Sequence, residues 1–155
     1  MDRGMSGKQT PRGRFLLVDG HSMIFAWDEL RALHEQRMAL AREALCQRLQ
    51  AYQDASPGER VVVVFDGRHG EGKEPRRPEE IQVLYSKKGG SADEILERLA
   101  CKYAKEHDLT VASRDRAVLD MVSAFGASAI SANGLADLLE VAERRFRGEI
   151  GKYLR

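Results

Sequence analysis

The stretch that decides the fold is Phe15-Leu16-Leu17-Val18-Asp19-Gly20-His21-Ser22, in which four apolar residues lead directly into an aspartate and a glycine. A continuous apolar run is typical of a strand that is buried on both faces of a parallel sheet. The residue that ends such a strand lies at the carboxyl edge of the sheet, where open α/β folds bind their ligands. Asp19 is therefore the first candidate functional residue.

Further apolar runs predict the remaining strands. Val61 to Phe65 is β-branched and aromatic, which favours a central strand. The other predicted strands are Ile81 to Tyr85, Leu109 to Ala112 and Ser128 to Ser131. Because helical patterns separate most of these strands, the sequence predicts an α/β fold, a three-layer α/β/α sandwich with a mostly parallel central sheet.

Apolar residues at steps of three and four predict the helices. They recur from Met38 to Tyr52, from Ile95 to Tyr103, from Val118 to Phe125 and from Leu135 to Phe146. Ser91 and Glu94 have the spacing of a capping box, so the second of these helices should start at Ser91. The segment Gly67 to Glu79 has no periodicity and predicts a loop, and Trp27 is expected to pack in the core.

The composition limits the class of protein. A chain of 155 residues with 43% hydrophobic residues and a net charge of +1 is neither a disordered polyelectrolyte nor a protein that coats nucleic acid by bulk charge. We expect a flexible basic arm over residues 1–14, one folded domain over 15–147 and a basic tail over 148–155. No membrane span and no secretory signal are apparent, which favours a cytoplasmic protein. Cys46 and Cys101 match no zinc spacing and are expected to be buried thiols.

Acidic residues follow the predicted strands at the points where the strands end. Asp19 and Asp66 come directly after two strands, Asp115 lies three residues after another, and Asp93 and Glu94 begin the helix that starts at Ser91. Two like charges 4 Å apart repel by about 4 kcal/mol at an effective dielectric constant near 20. Converging carboxylates therefore need a cation to stay ionised together, and oxygen ligands favour Mg²⁺ or Mn²⁺. Such an ion can activate water against a phosphodiester.

Each acid also has a purely structural interpretation. Asp115 could simply start a helix, Asp93 could favour a helix N-terminus, Glu94 could complete the capping box, and Asp19-Gly20 could form a turn. His21 could be a polar loop residue, a phosphate ligand or an acid. The shared position of the acids at one sheet edge, rather than any single residue, favours the functional interpretation.

A series of short motifs follows the same order as in a known family. The motifs are Leu16-Leu17-Val18-Asp19-Gly20-His21-Ser22, Ala26-Trp27-Asp28-Glu29-Leu30, Ala41-Arg42, Val62-Val63-Val64-Phe65-Asp66, Ser91-Ala92-Asp93 and Val111-Ala112-Ser113-Arg114-Asp115. From about Phe15 to Glu143 the chain resembles the YacP-like branch of the NYN domain family, which belongs to the PIN-like nucleases. The resemblance implies a PIN-like sandwich and a metal-dependent endoribonuclease, in a branch linked to messenger RNA cleavage on translating ribosomes.

The resemblance also implies roles for individual residues. It places metal-binding, catalytic carboxylates at Asp19, Asp93 and Asp115, with Asp66 as a further metal ligand or support. Glu94 and His21 are expected to support them. The family usually has tyrosine and asparagine where this chain has His21 and Ser22. The Ser22 hydroxyl can still donate and accept a hydrogen bond, so we expect Ser22 to orient water or a phosphate oxygen as a catalytic residue.

RNA that approaches an acidic edge needs basic residues beside it. The candidates are Arg68, Lys73, Arg76, Arg77, Lys87, Lys88, Arg114 and Arg116, any of which could equally be a solvated surface charge. The expected partners are RNA, messenger RNA above all, and the ribosome, with no membrane and with the oligomeric state left open. A non-catalytic RNA- or ribosome-binding adaptor and a phosphoryl-transfer or receiver-like domain remain alternatives.

Overall fold

The computed structural model describes residues 12–67, the backbone of 72–73, and residues 75–154. Its strands are β1 Arg14–Asp19, β2 Glu59–Phe65, β3 Gly72–Lys73, β4 Gln82–Tyr85, β5 Asp108–Ala112 and β6 Ser128–Ile130. Its helices are α1 Gly20–Ala26, α2 Asp28–Gln36, α3 Met38–Asp54, α4 Ala92–Tyr103, α5 Arg116–Ala124 and α6 Ala132–Leu154. None of the described helices is long and apolar enough to span a membrane.

One sheet contains all the described strands, in the order β3-β4-β2-β1-β5-β6. Every pair is parallel except β3 with β4, which is antiparallel. Val18 is in register with Val63 on one side and with Ala112 on the other. The carboxyl ends of β1, β2 and β5 therefore lie side by side, which is the geometry that the sequence predicted for the acidic edge.

Helices cover both faces of this sheet. Leu16 and Val18 point into a core beneath α1, α2, α3 and α6, whereas Leu17 points into a second core beneath α4 and α5. The two-residue period of a strand requires this alternation, and each fully buried aliphatic side chain contributes about 1.5–3 kcal/mol. The three-layer α/β/α sandwich is thereby confirmed.

Two short helices were not predicted. The segments Gly20–Ala26 and Asp28–Gln36 are helical, and α2 is amphipathic although only Leu30 of its nine residues is buried. Trp27 lies between them and is buried, and its indole Nε1 donates a hydrogen bond to the carbonyl oxygen of Ala132, 3.3 Å away. The expectation that Trp27 packs in the core is correct.

Other details also differ from the sequence-based expectations. The predicted loop contains the two-residue strand β3, which is too short to leave a pattern. Helix α6 continues to Leu154, through the described residues of the predicted basic tail, and β1 begins at Arg14, the last residue assigned to the arm. Residues 1–11 of that arm lie outside the described part. Cys46 is half-buried and Cys101 is exposed, so the prediction of a buried thiol at Cys101 was wrong.

Gly20 allows a close contact directly beside Asp19. A methyl group at this position would overlap the ring of Phe65, a fully buried side chain. We expect Gly20→Ala to lower the free energy of unfolding by about 1–3 kcal/mol, because the ring can move only by disturbing the core. Urea denaturation followed by circular dichroism measures this change.

Gly148→Ala provides the matched control. Gly148 lies within α6 with nothing near its absent side chain, so alanine should raise the free energy of unfolding by about 1 kcal/mol through helix propensity. If Gly20→Ala and Gly148→Ala change the free energy of unfolding in the same direction, steric crowding does not explain the effect of Gly20→Ala.

Candidate active site

A cleft of about 390 Å³ opens at the carboxyl edge of the sheet. It is lined by Asp19, His21, Ser22, Phe25, Asp66, Ser91, Ala92, Asp93, Arg114 and Asp115. The cleft thus brings together four predicted carboxylates that are distant in sequence: Asp19, Asp66, Asp93 and Asp115. No lysine or arginine forms an ion pair with any of these four within the described residues.

Asp19 forms the floor of the cleft. It is only 5% exposed, and its Oδ2 accepts hydrogen bonds from the hydroxyls of Ser22 (2.8 Å) and Ser113 (2.9 Å). Its Oδ1 faces the backbone N–H of Ser22 at 3.4 Å, which makes Asp19 the N-cap of α1. Neutral donors therefore hold a buried carboxylate whose negative charge no basic side chain cancels.

Ser113 is the site residue that the sequence analysis missed. It is fully buried, donates to Asp19 and accepts the backbone N–H of Asp115 at 3.0 Å. One hydroxyl therefore joins the end of β1 to the segment that carries Asp115. Its position in the sequence could have identified it, because Ser113 directly follows β5 as Asp66 directly follows β2.

Asp66 connects two neighbouring elements to the cleft. Its Oδ1 accepts the backbone N–H of Ala92 at 2.9 Å, which holds the first turn of α4 against the sheet edge. His21 Nδ1 accepts the backbone N–H of Asp66 at 3.4 Å. The same Nδ1 lies 3.4 Å from Asp66 Oδ2. Burial lowers the pKa of His21 more than Asp66 and Asp19 raise it, so the imidazole is neutral at neutral pH.

Two of the predicted acids also have the structural roles considered from the sequence. Asp115 is the N-cap of α5, since its Oδ1 accepts the backbone N–H of Ala117 at 2.9 Å, and it lines the cleft as well. Glu94 completes the capping box with Ser91 and does not line the cleft. The structure gives Glu94 a capping role, and the expectation that it supports the metal ligands stays a prediction.

The pKa of Asp93 is shifted by the position of its carboxyl in the cleft. Burial, together with repulsion from Asp19, Asp115, Glu97 and Asp66, raises its pKa from 3.8 to about 6. Its carboxylate has no hydrogen-bond or ion-pair partner among the described residues. The cleft therefore lacks a positive charge at this position.

The donor set suits a hard cation. The cleft contains carboxylate and hydroxyl oxygens, and within the described residues no three acidic, histidine or cysteine side chains form a ready-made cage for a metal. Mg²⁺ keeps several of its water ligands and binds through one or two carboxylates. A partly hydrated ion next to Asp93 therefore fits this arrangement, whereas a fully protein-bound ion does not.

The predicted RNA-binding residues are divided between several surfaces. Arg114 lines the cleft, with its guanidinium 5.9 Å from the centre of the Phe25 ring, and Lys87 and Lys88 line a hollow that shares Ser91 with it. Three others pair with acids away from the cleft: Arg76 with Glu80, Arg77 with Glu79 and Glu80, and Arg116 with Asp120. Arg68 and the side chain of Lys73 lie outside the described residues.

The fold and the cleft define a parallel α/β domain with a carboxylate cluster at the carboxyl edge of its sheet. The profile of the YacP-like NYN domain matches residues 16–154. The protein YacP of Bacillus subtilis (strain 168), named as uncharacterized, is 34% identical over 139 residues, which are 88% of this chain and 81% of that protein.

Solved structures agree with this assignment. The crystal structure of Rae1 (YacP) from Bacillus subtilis superposes with a TM-score of 0.75 at 33% identity, covering 90% of this chain and 80% of that one. A point mutant of the same protein gives a TM-score of 0.76, with 90% and 82% covered. The chain belongs to the YacP-like NYN domain family, which has a PIN-like nuclease fold.

Titration of Asp93 tests the electrostatics of the cleft. Because its pKa is raised in the folded state, folded protein holds this proton more tightly than unfolded protein does. In the absence of divalent ions, the free energy of unfolding should therefore fall as pH rises from about 4 to about 7. Carbon-13 NMR of the side-chain carboxyl measures the pKa, and urea denaturation at each pH measures the stability.

Asp93→Asn should remove this part of the pH dependence. Mn²⁺ should shift the carboxyl titration to lower pH, because a cation favours the charged form. An Asp93 carboxyl that titrates near 3.8 with or without Mn²⁺ contradicts the description of the cleft as a site of uncompensated negative charge.

Proposed function

We propose that this protein is a metal-dependent endoribonuclease that hydrolyses RNA phosphodiester bonds. The observation that carries the proposal is the convergence of Asp19, Asp66, Asp93 and Asp115 on one cleft without a basic partner. Such an arrangement is unfavourable for the isolated fold and becomes favourable around a divalent cation. The family is one of nucleases by fold, and this chain retains all four carboxylates.

Asp19, Asp93 and Asp115 would hold Mg²⁺ or Mn²⁺, directly or through water. When bound, the ion supplies an activated water and stabilises the negative charge that develops on the phosphate. Asp66 fixes the first turn of α4 and thereby the position of Asp93. We therefore assign Asp66 a supporting role beside the three ligands.

Ser22 has a more specific role than the sequence suggested. Its hydroxyl donates to Asp19, so its proton is already in use and it can only accept from a water molecule. Ser22 therefore orients Asp19 first. His21, whose pKa burial lowers, can donate from a neutral ring to a phosphate oxygen without adding charge to the cleft.

RNA must reach this negative cleft by means of basic residues at its rim. Arg114 lies at the rim itself, and Lys87 and Lys88 lie in the adjoining hollow. These few cations support weak intrinsic affinity for RNA, consistent with a net charge of only +1. Messenger RNA as the substrate and the ribosome as the place of cleavage are proposals that follow from the family resemblance.

Cleavage of a labelled RNA by purified protein tests the proposal. We expect cleavage with Mn²⁺ or Mg²⁺, none in excess chelator, and a loss of about 100-fold or more for Asp19→Asn, Asp93→Asn and Asp115→Asn. Removing one carboxylate weakens ion binding and shifts the activated water. Gel electrophoresis of the products measures the rate.

Asp137→Asn is the matched control, because Asp137 is an exposed aspartate of α6 outside the cleft. It should cleave at the wild-type rate. Cleavage that survives Asp19→Asn and Asp93→Asn would identify a contaminating nuclease. RNA binding without any metal-dependent cleavage would favour the adaptor, and hydrolysis of small phosphate esters without RNA cleavage would favour a phosphoryl-transfer domain.

A further inference from the structure

The acidic cleft continues along the sheet edge towards α3. A second hollow of about 150 Å³ is lined by His21, Phe25, His34, Met38 and Asp66, and three of these residues also line the cleft. The Phe25 ring lies 4.9 Å from that of His34 and 6.3 Å from that of His21, measured between centroids. The wall next to the cleft is therefore largely aromatic.

A third hollow of about 380 Å³ lies further along α3. It contains Arg42, one helical turn after Met38, together with Phe65 and Tyr85. The Phe65 ring lies 5.6 Å from His21 and 5.9 Å from Tyr85 between centroids, so it connects this hollow to the wall of the cleft. The cleft and the second hollow share His21, Phe25 and Asp66, whereas the third hollow adjoins them across the Phe65 ring; we call the three hollows together the α3 groove.

Arg42 is a basic residue of the third hollow. It is half-buried, has no ion-pair partner in the described residues, and lies close enough to His21 for its charge to oppose protonation of the imidazole. Arg48, on the same helix, instead contacts Glu143 and Glu29. Glu43 and Glu80 also line this hollow, and Glu80 already accepts the backbone N–H of Arg77 at 2.9 Å and lies 3.8 Å from Arg76.

We propose that single-stranded RNA runs from the acidic cleft into the α3 groove, where Arg42 binds the phosphate of a neighbouring nucleotide and the rings of His21, Phe25 and His34 contact its base. This inference rests on the proposed function and specifies its substrate class. Unpaired bases stack on aromatic side chains, whereas a duplex keeps its bases inside and is too wide for a hollow of this size. Arginine is suited to phosphate because its planar guanidinium donates in pairs.

Binding of labelled oligouridines of two to eight nucleotides tests this inference. Each variant also carries Asp19→Asn so that RNA is not cut, and fluorescence anisotropy with Mn²⁺ gives Kd. Arg42→Ala should raise Kd about tenfold, and only for oligonucleotides long enough to reach the groove. The slope of log Kd against log salt should fall by about 0.7, which corresponds to one phosphate contact on a single strand.

Three further variants distinguish the contacts. Arg42→Lys keeps the charge and should bind with intermediate affinity. Phe25→Leu should raise Kd without changing the salt slope, because it removes a base contact rather than a phosphate contact. Lys105→Ala removes the same charge from an exposed residue next to the start of β5, at the opposite edge of the sheet, and should change neither quantity. Equal urea midpoints establish that all variants are folded.

The outcomes separate this inference from the proposed nuclease activity. If Arg42→Ala behaves like Lys105→Ala, the α3 groove is not an RNA site, even when the wild-type protein cleaves RNA. If the Arg42 effect is present but wild-type protein fails to cleave, the nuclease proposal is wrong and the RNA groove stands. A duplex that competes as strongly as a single strand overturns the proposed substrate class.

Discussion

The candidate site depends on the buried Asp19 carboxylate and the two serine hydroxyls that donate to it. These hydrogen bonds join the end of β1 to α1 through Ser22 and to the segment after β5 through Ser113. They let a charged group lie almost fully buried without an ion pair, because donors satisfy its oxygens while its charge stays uncancelled. An arginine at either serine position would stabilise the carboxylate more strongly, but it would neutralise the charge that a cation requires.

This arrangement sets stability against function. The parallel register brings the carboxyl ends of three strands together, and the acids that follow them repel one another. Several elements share the cost. Asp66 and Asp115 each accept a backbone N–H at the start of a helix, and hydroxyls hold Asp19. Burial, followed by repulsion from the other acids, raises the pKa of Asp93 to about 6. The cleft is thus prepared for an ion at one position, while the other carboxylates remain fixed by the fold.

The sequence predicted those features of the fold and the cleft that depend on local patterns. Val61 to Phe65 identifies its strand by composition alone, and Ser91 with Glu94 identifies a helix start by spacing. The sheet edge could also be predicted, because Asp19 and Asp66 directly follow apolar runs. Contacts between distant parts of the chain could not be predicted, because the hydrogen bond between Ser113 and Asp19 depends on the pairing of β1 with β5. The exposure of Cys101 likewise depends on how α4 is rotated.

The helix caps in the cleft affect how relatives of this protein should be compared. Asp66 and Asp115 would be retained in a relative that had lost all activity, because each accepts a backbone N–H at the start of a helix, and Asp19 would be retained for its serine contacts. Asp93 is different, since its carboxylate has no hydrogen-bond or ion-pair partner among the described residues and the fold offers it only the favourable dipole of the first turn of α4. Across homologous sequences, the residue at this one position therefore distinguishes domains that still bind an ion from those that keep only the architecture.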